Sequence, residues 1–201
     1  MAGDVVVGLL TGLSLIIAIG AQNAFLLRQA LRGAPVGAIV AVCAVSDLVL
    51  IVAGVAGIGT LIQHASWALT VVRWLGVVVL VGYGLTAAWR ARTTESLEAA
   101  SGAGDSAAKA VGKAVALTWL NPHVYLDTVI LVGSIANTHG HTGRWWFAAG
   151  AALASLLWFG ALGYGGRRLA PLLATPRAWQ VLDLLIATIM LALAVRLALT
   201  A

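Results

Sequence analysis

Apolar residues run along this chain in long blocks, with polar residues gathered between them. The blocks cover approximately 5–27, 37–60, 67–89, 113–137, 144–164 and 179–200. A helix needs about 20 such residues to cross a bilayer. The pattern therefore predicts six transmembrane helices. The longest polar interval, 91–112, carries Arg92, Glu95, Glu98, Asp105 and Lys109 among Ser, Gly, Thr and Ala, the composition of a solvated linker. It separates a first unit, 1–90, from a second, 113–201, each with three spans. Three crossings invert the second unit relative to the first, so the expected fold is an all-α integral membrane protein of two inverted three-helix repeats.

Two blocks contain polar interruptions. In Trp119-Leu120-Asn121-Pro122-His123-Val124-Tyr125-Leu126-Asp127-Thr128, proline cannot donate to the preceding turn and pushes Asn121 out of the helical region. The same pair suits a new helix start, with Asn121 as N-cap and Pro122 as first helical residue. The fourth span should thus be broken. Gly20-Ala21-Gln22-Asn23-Ala24-Phe25-Leu26-Leu27-Arg28 is a weak echo of that stretch in the first span and predicts a second break.

Composition strengthens the membrane reading. The chain is 61% hydrophobic and only 9% charged, with a mean hydropathy of +0.99, against about 25% charged residues in soluble domains. Its net charge of +5 does not point to nucleic acid, because the basic residues flank apolar blocks instead of sharing one soluble face. Arg28, Arg32, Arg90, Arg92, Lys109, Lys113, Arg167, Arg168 and Arg177 fall on one side of the membrane, and Arg73, Arg144 and Arg196 on the other. The positive-inside rule then makes the first, third and fifth connections cytoplasmic and both termini extracytoplasmic. Trp67, Trp74, Trp89, Trp145, Trp146 and Trp179 near block ends read as an interfacial belt. Met1-Ala2-Gly3-Asp4 lacks the basic start of a cleaved signal, so the first block is expected to remain as a span.

Several chemistries are disfavoured. Cys43 is the only cysteine, which excludes an intrachain disulfide, a CxxC pair or a cysteine-rich metal site. Gly112-Lys113 is followed by Ala114, so no Walker-type phosphate loop is present. His139-Gly140-His141 lacks a nearby acid or cysteine and reads as a polar loop. No cofactor or metal is expected.

What remains is a set of polar groups at membrane depth. A carboxylate there costs at least about 2.5 kcal/mol on insertion scales, so Asp47 and Asp127 need a partner or a task. Helix starts near Asn23 and Asn121 would point free N–H groups inward and bind a carboxylate. Two acids beside them suit a zwitterion with an extra positive charge, as in lysine or arginine. His123 and Asp127, four apart on one helical face, could share a proton. Asn121, Tyr125 and Thr128 define another inward face. The structural alternative for Asp47 is an ion pair with Arg73 or Arg196. Arg28 reads as an interfacial anchor, and Asp183 as an acid favouring the start of the last helix. Gly8, Gly12, Gly54, Gly57 and Gly59 read as helix-packing surfaces.

At these residues the chain resembles the lysine and arginine exporter family of bacterial amino-acid effluxers. The likeness runs nearly end to end, through Ile19–Phe25, Ser46–Gly54, Thr118–Asp127, Thr142–Gly150 and Ala154–Phe159. It implies export of basic amino acids across the bacterial inner membrane, coupled to the proton motive force, with motif residues falling on Gln22, Asn23, Asp47, Asn121, Pro122 and Asp127. The full expected site adds Tyr125 to these for substrate, with Asp47, Asp127 and His123 handling protons. Expected partners are the basic amino acid, protons and the lipid bilayer, with homo-oligomers left open. Two positions depart from the family pattern. Ala21 stands at a usual proline, which predicts a softer first break, and Asp183 at a usual asparagine. The rival readings are an exporter of neutral amino acids of the threonine or homoserine type, a passive channel, and a membrane enzyme, the last disfavoured because no nucleophile–base constellation is evident.

Overall fold

The apolar blocks become helices, and the two predicted interruptions become bends. The computed structural model describes residues 1–17, 20–57, 66–92, 106–169 and 175–199. These form α1 (Ala2–Ile16), α2 (Ala21–Leu31), α3 (Gly37–Val55), α4 (Ser66–Arg92), α5 (Ala107–Trp119), α6 (Pro122–Asn137), α7 (Gly140–Arg168) and α8 (Pro176–Leu199). Within α6 the coil widens to π-helix over Tyr125–Val132 before tightening again at Gly133–Asn137. A shorter π-turn, Ala161–Gly165, interrupts α7. The described residues contain helices and turns but no strand.

Four helices, α3, α4, α7 and α8, are each long and apolar enough to cross a bilayer. Two bent pairs also qualify when each is taken as one span, α1 with α2 at 80° and α5 with α6 at 59°, which raises the count to six. The chain is thus a helical membrane protein with interruptions in its first and fourth spans. Ala21 does not soften the first bend, which is the sharper of the two. Ala21 is the first residue of α2, with Gly20 extended before it as N-cap. At the edges of the expected linker, α4 runs to Arg92 and α5 starts at Ala107.

Close helix approach holds the bundle together. In lipid there is little hydrophobic drive between helices, so packing of small residues does the work. α1 lies along α7, with Gly8 against the Phe147 carbonyl and Gly150 against the Val5 carbonyl. α3 meets α6 where Gly54 and Gly133 face one another. α4 lies along α8, and Gly76 of α4 touches the Leu120 carbonyl at the fourth-span break. A side chain at any of these glycines would strike backbone. Gly57 serves differently, as a turn residue with φ +95° and open space around it, and Gly59 lies outside the described residues.

Three charged or amphipathic positions depart from the sequence reading. Arg28 is not an interfacial anchor: it is 2% exposed, and its Nε and Nη2 donate to Asp183 Oδ1 and Oδ2 at 2.6 and 3.0 Å. Asp183 lies two turns inside α8 instead of at its start, is 1% exposed, and also meets Arg90 Nη2 at 3.5 Å. The Arg90 guanidinium sits 5.7 Å from the Tyr83 ring, which packs edge-on against Phe25. Together these groups tie α2, α4 and α8. Trp67, Trp74, Trp89, Trp145 and Trp146 are exposed as a lipid-facing belt requires, whereas Trp179 is buried in the core.

Candidate functional site

Both breaks are built by the same local device. A helix ends with unpaired carbonyls, and the next begins with unpaired N–H groups. At the first break the Asn23 side-chain amide donates to the Ile16 carbonyl at 2.7 Å, closing the end of α1. At the second, Tyr125 Oη donates to the Trp119 carbonyl at 2.8 Å, closing the end of α5. The helix starts differ. Asn121 caps α6, its Oδ1 accepting from the His123 N–H at 3.1 Å, and Pro122 follows as first helical residue. Gly20 caps α2 without any side-chain bond.

Between these breaks lies a cavity of about 270 Å³. That is near the lower end of the roughly 300–1,000 Å³ typical of small-molecule sites and suits a ligand of amino-acid size. Its wall includes Gln22 and Asn23 from α2, Asp47 from α3, Asn121, His123, Asp127 and Thr128 around the start of α6, Ser155 from α7 and Arg196 from α8. The residues expected at the site thus converge from both halves of the chain, with two exceptions. Pro122 is buried behind the cavity wall, and Tyr125 is turned back to Trp119, so both shape the break without lining the space.

Asp47 is 8% exposed and accepts a hydrogen bond from Ser155 Oγ at 2.7 Å. Its described partner is therefore a neutral hydroxyl from α7 instead of either arginine considered from sequence. The adjacent Ser46 accepts from Trp119 Nε1 at 3.0 Å, fastening α3 to the last residue before the break. Asp127 lies in the π-helical stretch, a feature that often marks functional sites. The wider coil disturbs the four-residue face on which His123 and Asp127 were expected to meet, and no described hydrogen bond joins them. Gln22 Nε2 and His123 Nε2 are buried without a hydrogen-bond partner. Unpaired buried polar atoms are costly, which singles out both residues as candidates for a binding role.

One contributor was missed from sequence: Ser155 sits in an apolar run as an unremarkable small residue, whereas Arg196, considered there as a partner of Asp47, lines the same wall. Helical spacing along one element cannot pair Ser155 with α3. His139 likewise does more than occupy a polar loop: its Nδ1 lies 2.9 Å from Asp4 Oδ1, tying the start of α1 to the α6–α7 connection. Among the described residues no group of three or more His, Cys, Asp or Glu side chains could hold a metal ion.

A Mycobacterium tuberculosis chain named as an amino-acid transporter is 45% identical over 184 residues, covering 91% of this chain and 90% of its own length. The lysine exporter LysE of Corynebacterium diphtheriae is 38% identical, covering 96% of this chain and 97% of its own. The arginine exporter protein ArgO of Shigella flexneri is also 38% identical, covering 95% and 91%. No solved structure matches. Residues 13–201 match the family described as LysE type translocator. With its apolar spans, its two broken helices and these relatives, the chain belongs to the LysE type translocator family, as a multi-pass protein of the bacterial inner membrane.

Proposed function

We propose that this protein exports basic amino acids, L-lysine or L-arginine, from the cytoplasm by secondary transport driven by the proton motive force. The observation that carries this reading is the convergence of Asp47 and Asp127 on one cavity between two helix starts. The start of α2, whose N-cap supplies no side-chain bond, offers N–H groups to a carboxylate, and the α6 start adds its dipole. Asp47 and Asp127 receive the α-ammonium and the side-chain cation. Pairing across the cavity draws α2, α3 and α6 together around the bound substrate.

Protons reaching Asp47 or Asp127 from outside neutralise the acid, weaken its hold on the cation and release the substrate. His123, with an unpartnered ring nitrogen on the same cavity, provides a relay between solvent and Asp127. The neighbour pattern supports two inverted repeats that rock about this site: α1 and α2 contact α7 as α5 and α6 contact α3, and α4 pairs with α8. The units run 1–90 and 113–201, with a cytoplasmic linker between them. The relatives named for lysine and arginine export support the substrate class.

The test is efflux of preloaded labelled lysine and arginine from cells producing wild type, Asp47→Asn or Asp127→Asn, with and without a protonophore. Loss of efflux in both variants at normal membrane levels, and in wild type with the protonophore, is expected. Full efflux from the double variant would discard the acid-pair cycle. Arg196 on the same wall favours one second reading, export of neutral amino acids, because its charge offsets one of the acids. Competition by threonine and leucine, but not by lysine, would select that reading.

A further inference from the structure

The end of α4 and the start of α8, which the positive-inside rule makes cytoplasmic, carry more positive charge than the fold neutralises. Arg28 and Arg90 share one carboxylate, Asp183, so the cluster has a net charge of +1 among the described residues. We infer that Arg90 and the arginines around it bind the phosphate of an anionic phospholipid from the cytoplasmic leaflet. This holds whatever substrate the central cavity takes.

The division of contacts within the cluster decides which charge is in excess. Arg28 donates to both Asp183 oxygens, at 2.6 and 3.0 Å, which matches one guanidinium to one carboxylate. Arg90 comes second. Its Nη2 approaches Asp183 at 3.5 Å, beyond the usual hydrogen-bond range of about 2.7–3.2 Å. Its Nε is buried without a hydrogen-bond partner, and its guanidinium rests 5.7 Å from the Tyr83 ring, which offers no countercharge. The Arg90 side chain is 22% exposed, and with Nε enclosed its remaining donors, on the Nη groups, are those that meet an arriving anion.

The neighbours of Arg90 add to the field. Arg92, in the last turn of α4, and Arg177, in the first turn of α8, are exposed at the same helix ends. Arg177 lies about 9 Å along the α8 axis from Asp183 at ~1.5 Å per residue. The first turn of α8 contains no acid, so its positive dipole end is not offset locally. Positive-inside placement accounts for the exposed Arg92 and Arg177. It does not account for Arg90, whose guanidinium turns toward a carboxylate that Arg28 has already matched.

The surface beside the cluster favours a lipid over other anions. Leu85 and Trp89, four apart on one face of α4, are exposed, as are Val181, Leu184 and Leu185 of α8. Of the four long spans, α4 and α8 are the least enclosed by the protein. An acyl chain lies along such an apolar face while its phosphate reaches the arginines at the helix ends. Free phosphate and a loop carboxylate make no use of that face. Each basic residue near an anionic leaflet is worth about fivefold in affinity.

The experiment is native mass spectrometry of the purified full-length protein offered equal amounts of phosphatidylglycerol and phosphatidylcholine, with thermal unfolding measured beside it. Wild type should retain phosphatidylglycerol in preference to phosphatidylcholine, whose own cation offsets its phosphate. Arg90→Gln should weaken that retention about tenfold to a hundredfold, for a lost charge-assisted contact, and Arg92→Gln about fivefold. Arg144→Gln, at the opposite membrane face, should change nothing. Where unfolding shows Arg90→Gln to be unstable, the exposed Arg92 decides. Equal retention of the two lipids by wild type, or undiminished phosphatidylglycerol in a folded Arg90→Gln, overturns the site. So does a loss in Arg144→Gln as large as in Arg90→Gln, which would reduce the effect to net charge. Displacement of the lipid by an equal concentration of inorganic phosphate would give the arginines to a free anion instead. Retention that appears only after Glu95→Gln and Glu98→Gln would give them to the acids of the linker, and either result discards the lipid.

Discussion

Asp47 and Asp183 are both aspartates on long apolar helices, both nearly inaccessible, and they are held in opposite ways. Asp183 receives a two-pronged contact from Arg28 and a longer one from the partly exposed Arg90, the Arg28–Asp183 pair being enclosed between α2, α4 and α8. Asp47 receives one neutral hydroxyl, from Ser155, and borders a cavity whose wall carries unpartnered nitrogens of Gln22 and His123. A carboxylate with both oxygens held by fixed guanidinium donors is committed to the fold. One held by a single serine keeps its charge available. The comparison separates structural charge from working charge within one bundle, and it does so by counting partners, since burial is similar at both.

The largest effect expected is on the paired side. Asp183→Ala leaves Arg28 buried without its counter-ion, a change that costs about 3–5 kcal/mol in comparable buried pairs. Thermal unfolding in detergent should show a large drop, with little protein reaching the membrane. A variant as stable as wild type would break the comparison by making Asp183 dispensable to the fold.

Asp47→Asn is expected to act on the other side alone. The amide oxygen still accepts from Ser155, so the melting temperature should stay close to wild type. Binding of lysine or arginine should fall about tenfold to a hundredfold for the lost charge-assisted contact of roughly 1.5–3 kcal/mol. A melting temperature that falls in parallel with binding would assign Asp47 to structure as well.

Tyr125→Phe should be milder. It removes the bond to the Trp119 carbonyl across the second break, worth about 1 kcal/mol in a typical case. Because Tyr125 does not line the cavity, the stability change should appear without a change in substrate Kd. A weakened Kd at unchanged stability would bring Tyr125 into the site.

Arg90→Gln should be smallest. Arg90 is 22% exposed and meets Asp183 at 3.5 Å, so about 0–1 kcal/mol of stability is at stake. Arg28→Gln, measured beside it, should cost several times more. Similar losses from the two would mean that the cluster shares its charge evenly, contrary to its distances.

Much of this molecule is legible in the residue order, where the cause is local. Apolar block length requires membrane-spanning helices, because a bilayer admits no unpaired backbone. Asn121-Pro122 dictates a helix start at that point, since proline cannot continue the preceding turn and asparagine can cap the next. The polar character of Gln22, Asn23, Asp47, Asn121, His123 and Asp127 at membrane depth marks them without any structure. Their expense in hydrocarbon is a property of each residue alone.

Tertiary structure decided which of these charges meet. Arg28 and Asp183 are 155 positions apart, and Asp47 and Ser155 are 108 apart. No helical period connects such positions, so Arg28 reads as an anchor and Asp183 as a dipole partner until α2 and α8 are brought together. The π-helical coil at Tyr125–Val132 is equally hidden, because it changes which side chains share a face without changing the apolar pattern. Arg196 is by sequence only one of two arginines that could pair with Asp47, and the packing of α8 along α4 carries it to the cavity wall. Local chemistry determines where the helices run and where they break, whereas helix packing decides which charges are neutralised within the protein and which remain for a ligand.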